Sequence, residues 1–106
     1  MNIESLSEFA YLADTLSFRR TAEHFYVSRS VISRHLASLE DALGAVLLER
    51  NAHGVELTPA GRVFLGEAQA LLRAWDQAQQ RVRAASAAGS TLVRVGYLRN
   101  GARPFL

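Results

Sequence analysis

The sequence has no cysteine and no lysine, and all 12 of its basic residues are arginine. Without cysteine there is no disulfide framework and no thiolate metal site, and the redox compartment stays open. No apolar run exceeds a few residues, so nothing in the chain is long enough to span a membrane. The start, Met1-Asn2-Ile3-Glu4, lacks the basic region and apolar run of a signal peptide, which leaves a cytoplasmic location as the expectation. A length of 106 residues gives room for one small domain with an appended element and excludes large enzyme folds such as a TIM barrel. There is no Walker loop, no dinucleotide fingerprint and no nucleophile motif, so no enzymatic activity is expected. His24, His35 and His53 have no metal-ligand spacing, so no metal or cofactor is expected either.

What is present is the balance of an ordinary folded protein, 49% hydrophobic and 21% charged. A pI near 9.7 invites a nucleic-acid reading, but the net charge is only +2. Residues 1–58 hold 5 Arg against 8 acids, a net −3. Residues 59–89 carry +2 and residues 90–106 carry +3. Any contact with a polyanion must therefore rest on the placement of a few arginines.

Ser5 and Glu8 have capping-box spacing, and Leu6, Phe9, Ala10, Ala13 and Leu16 form a helical stripe, which predicts a first helix over about 5–15. Ser17 caps a second, shorter helix with Phe18, Ala22 and Phe25 on its inner face. After a break at Tyr26-Val27-Ser28, Ser28 caps a third helix whose stripe is Ile32, Leu36, Leu39 and Leu43, with Gly44 as its stop. Two short helices joined by a tight turn make a helix-turn-helix. The runs 47–50 and 55–58 flank Asn51-Ala52-His53-Gly54 and read as a small hairpin, a wing.

Thr58-Pro59 opens a helix that meets no further proline before about Ala87, roughly 40 Å of helix. Phe64, Ala68, Leu71, Trp75, Ala78, Val82 and Ala85 follow a sustained heptad seam along it. One reading folds this amphipathic helix back onto its own domain. The other, favoured by a tryptophan in the seam, is self-association of two chains. Ala87-Ala88-Gly89-Ser90 reads as a linker and 92–97 as a strand that opens a further domain.

Setting the apolar stripe aside, the third helix offers Ser28, Arg29, Ser30, Ser33, Arg34 and Ala37, with both arginines taken to share one face. The N-terminal end of a recognition helix enters the major groove and needs short polar or basic side chains there. Arg50 and His53 flank the wing tip, and Ser17, Arg19 and Arg20 open the second helix, where phosphate contacts are expected. Each of these side chains has an ordinary surface or capping role as its alternative.

The elements Leu16-Ser17-Phe18, Thr21-Ala22-Glu23, Val27-Ser28, Val31-Ile32-Ser33-Arg34-His35-Leu36, Leu39-Glu40, Leu43-Gly44, Leu47-Leu48-Glu49-Arg50 and Leu57-Thr58-Pro59-Ala60-Gly61 run in one order and spacing. Together they resemble the N-terminal DNA-binding domain of LysR-type bacterial transcriptional regulators, over residues 1 to about 90. The resemblance implies a mainly α fold, a winged helix-turn-helix of three helices and a two-stranded wing, followed by a long dimerisation linker helix. It implies a winged domain at 1–58, a linker helix at 59–88, and the start of an effector-binding domain at 89–106. It further implies double-stranded promoter DNA as partner, a pseudo-palindromic site, homodimers paired through the linker helix, tetramers in full-length members, and a small-molecule co-inducer held by an effector domain. Arg29-Ser30 stand where the family has Gln and a small residue or proline, Thr21 stands in place of Ala, and Leu48 in place of Phe. The first departure falls on a base-reading position and points to a guanine. A helical interaction or dimerisation module without specific DNA binding is the alternative, supported by the acidic balance of residues 1–58.

Overall fold

Each of the first three helices begins where a side chain closes its first turn. A computed structural model of the chain describes residues 2–89, with α1 Ile3–Thr15, α2 Phe18–His24, α3 Arg29–Leu43, β1 Leu48–Asn51, β2 Gly54–Leu57 and α4 Pro59–Gly89. Asn2 Oδ1 accepts the Ser5 N–H at 2.8 Å, so Asn2, not Ser5, caps α1. The capping box expected from Glu8 does not form because Glu8 is buried and bonded to His35 Nδ1 on α3 at 2.6 Å. Ser17 Oγ accepts the Arg20 N–H at 3.1 Å and Ser28 Oγ the Val31 N–H at 3.2 Å, the caps predicted for α2 and α3. Gly44 ends α3 in the left-handed region at φ 67°.

The wing is a two-stranded antiparallel hairpin pairing Leu48 with Leu57, Glu49 with Glu56, Arg50 with Val55 and Asn51 with Gly54. Its strands differ by one residue from the sequence expectation. Asn51 Oδ1 accepts the His53 N–H at 2.8 Å, which tightens the loop to Ala52-His53 and brings Asn51 and Gly54 into the strands.

Two apolar clusters hold the helices and wing together. Leu12, Phe18, Ala22, Ile32 and Leu48 form one beneath the wing. The smaller Leu48 packs directly into it. Leu6, Phe9, Ala13, Leu39, Leu47 and Ala68 form the other, with Phe64, Leu65 and Leu72 packed against it. Thr21 is fully buried, and its hydroxyl donates to the Ser17 carbonyl at 2.7 Å, so this polar departure from alanine is satisfied. Leu43, expected to finish the buried stripe of α3, is largely exposed.

The chain divides into two units at Arg73. In the first, Thr58 Oγ1 accepts the Gly61 N–H at 2.9 Å and donates to the Val46 carbonyl at 2.6 Å, fixing the start of α4 to the segment before β1. Gly61 lies so close to the Leu47 carbonyl that a Cβ would overlap it. Phe64 meets Phe9 with ring centroids 5.2 Å apart, and Ala68 is fully buried. Ala68 is therefore covered by its own chain, which corrects its place in a free dimer seam, while Phe64 packs on the same core and stays partly exposed. In the second unit, Trp75, Ala78 and Val82 are exposed, as is Leu71 just before the division. The helix continues through Ala87 and Ala88, where a linker was expected. The strand at 92–97 and nearly all of the 89–106 segment lie outside the described residues.

Candidate nucleic-acid interface

Three elements bring their polar ends together. Ser17, Phe18 and Arg19 from the start of α2, Arg29 from the start of α3, and Arg50, Asn51, Gly54 and Val55 from the wing line one open cleft. Three of the lining residues are arginines and none is an acid. The guanidinium of Arg50 lies 4.4 Å from the centroid of the Phe18 ring, a cation–π contact that ties the wing to α2. Arg19 Nη1 donates to Glu23 Oε2 at 3.1 Å, an exposed i,i+4 pair of the kind that adds little stability. Among the described residues, the Arg29 and Arg34 side chains make no hydrogen bond or ion pair.

Arg29 and Arg34 do not share a face. Five residues at 3.6 per turn separate them by about 140° around α3. Arg29 lies on the edge towards the wing, and Ser33 and Ala37 continue that edge into a neighbouring depression beside Arg50. Ser30 and Arg34, one turn apart, are both exposed and belong to neither lining. The Ser28 hydroxyl oxygen is engaged in its cap, and the Arg29 and Ser30 N–H groups are the open donors at the start of α3. His53 sits exposed in the wing loop, outside the cleft.

Sequence reasoning missed three supporting residues. Glu40 has no role in the sequence reading, but its Oε2 accepts the N–H groups of Leu47 at 2.8 Å and Leu48 at 3.4 Å, anchoring the wing to the end of α3. Asn51 shapes the loop and donates to Glu56 Oε2 at 3.0 Å. Phe18, read only as a core residue, also carries Arg50 on its ring. The turn-forming chemistry of Asn51 was the one advance signal among them. Among the described residues, no group of three or more metal-ligating side chains exists, and no helix is long and apolar enough to cross a membrane.

The family model described as bacterial regulatory helix-turn-helix protein, lysR family, matches residues 3–62. The HTH-type transcriptional regulator TfdT of Cupriavidus pinatubonensis is 36% identical over 97 residues, covering 92% of this chain and 42% of that protein. ClcR of Pseudomonas putida, also an HTH-type transcriptional regulator, is 37% identical over 97 residues, covering 92% of this chain and 33% of its own. The chain thus spans well under half the length of these relatives. A crystal structure of the CbnR DNA-binding domain in complex with DNA superposes with a TM-score of 0.76 at 37% identity, over 81% of this chain and 99% of that one. The cap positions, the wing register and these matches agree: the chain belongs to the lysR family of bacterial regulatory helix-turn-helix proteins and carries its DNA-binding domain.

Proposed function

We propose that the chain binds a pseudo-palindromic promoter site as a homodimer in the bacterial cytoplasm, at the nucleoid. In this reading α3 lies in the major groove, the wing rests on the flanking backbone, and two copies of α4 pair through Leu71, Trp75, Ala78 and Val82. One observation carries it: the N-terminal half of α3 offers Ser30 and Arg34 to solvent with no internal partner for the arginine, while the opposite side of the helix is fixed in the core at Ile32 and Leu39. Arginine in that position can bond a guanine edge bidentately.

The test is a gel-shift titration against promoter fragments across a salt series. Arg34→Ala should weaken specific binding by about 1–3 kcal/mol and relax the preference at one base pair. Unchanged affinity for the preferred site would remove Arg34 from base reading. The net −3 of residues 1–58 favours the second reading, a protein-interaction module. Absence of any salt-dependent shift at micromolar protein would select it.

A further inference from the structure

The cleft between α2, α3 and the wing holds more positive charge than a base edge can use. A guanine edge takes one arginine, in its own plane, through two acceptors. Here Arg19, Arg29 and Arg50 reach one cleft from three separate elements, and no carboxylate lines it. Two of the three have a contact: Arg50 lies over the face of Phe18, and Arg19 makes an exposed ion pair with Glu23, whose carboxylate stands outside the lining. Arg29 alone has no partner among the described residues. Ser17 adds a hydroxyl whose oxygen accepts the Arg20 N–H, leaving its hydrogen to donate. Asn51 lines the same cleft with its side chain turned to Glu56 and His53. Several donors approaching from different directions suit a phosphate, which presents oxygens on more than one side. The planar edge of a base does not match them.

The geometry points to Arg29 as a phosphate-binding residue: with Arg19 and Arg50 it seats one phosphodiester of the DNA backbone, and it does not read a guanine. This assignment departs from the expectation drawn from its place at the start of the recognition helix. The physical reason is rotational, since Arg29 is on the wing edge of α3 and Arg34 is about 140° away. Base reading then rests with Ser30 and Arg34, and the departure at Arg29 adds affinity for any duplex.

The inference rests on the DNA-binding reading above, and its test separates the two. Wild type, Arg29→Ala and Arg29→Gln are titrated against the preferred promoter fragment and an unrelated duplex from 50 to 200 mM salt. In parallel, each is used to select sites from a randomised duplex pool. Both variants are expected to lose affinity for the two duplexes by the same factor and to select the same sequences as wild type. Their salt slopes should be shallower by about 0.9 per bound protomer. Over that fourfold change in salt, each protomer of a variant should lose roughly three- to fourfold less affinity than wild type. A changed base preference at one position, with unaltered binding to the unrelated duplex, would overturn the assignment in favour of base reading. Variants indistinguishable from wild type would overturn it as well. Failure of wild type to bind either duplex would instead overturn the DNA-binding reading, and the inference with it.

Discussion

Gly61 and Gly66 lie in the same helix and carry opposite requirements. A Cβ at Gly61 would overlap the Leu47 carbonyl oxygen, whereas one at Gly66 would meet nothing within 4 Å. Gly61→Ala should therefore destabilise the fold by roughly 1–3 kcal/mol, because backbone cannot move aside as a flexible side chain can. Gly66→Ala should stabilise it by roughly 0.5–1 kcal/mol by restricting the unfolded chain and favouring helix. Urea midpoints for the two variants check this, and a shift of both in the same direction would contradict it. The sequence around each glycine does not distinguish them, since the decisive neighbour comes from the segment before β1. Tyr26 is a comparable surprise. It holds φ 58° in the turn between α2 and α3 with its side chain 95% exposed, a conformation bulky residues seldom adopt. Sequence reading marked only a break there.

At the scale of elements, the helices were legible and their lateral ties were not. Caps at Ser17, Ser28 and Gly44 follow from local chemistry, and the buried positions of α3 follow from its period. Glu8, His35 and Glu40 each bond across to another element, which periodicity does not encode. The shared face assigned to Arg29 and Arg34 failed for a simpler reason. Removing the apolar stripe leaves more than half the circumference of a helix, and that is too wide to count as one surface. Glu40 is the tie with the clearest consequence. Glu40→Ala leaves the Leu47 and Leu48 N–H groups, both on buried residues, without their acceptor. The expected loss is about 1–3 kcal/mol of stability. Amide exchange should quicken at Leu47 and Leu48 beyond what the global loss explains. Uniform quickening across the domain would show that Glu40 does not hold the wing specifically.

For the whole molecule, the net charge conceals where the cations are. Residues 1–58 are acidic in sum, yet the cleft is lined by three arginines and no carboxylate, and Arg34 is exposed on α3 without an ion pair among the described residues. The heptad seam also divides. Phe64 and Ala68 are used within the fold, while Leu71 at 48% exposure, Trp75 at 46% and Val82 at 67% are left uncovered. Trp75→Asp should abolish the proposed pairing and leave the helical content and melting of the first unit intact. Light scattering and circular dichroism read the two effects separately, and a variant still dimeric by scattering would refute the interface. This division has a consequence for gene control. The residues that complete the fold of the first unit are not those proposed for pairing, so in the proposed dimer the folding of that unit would not depend on protein concentration, whereas pairing would. When monomers predominate, the number of pairs rises with the square of the protein concentration. A site that binds only the proposed pair, while mostly unoccupied, would answer a doubling of regulator with about four times the occupancy, a response set by one face of one helix.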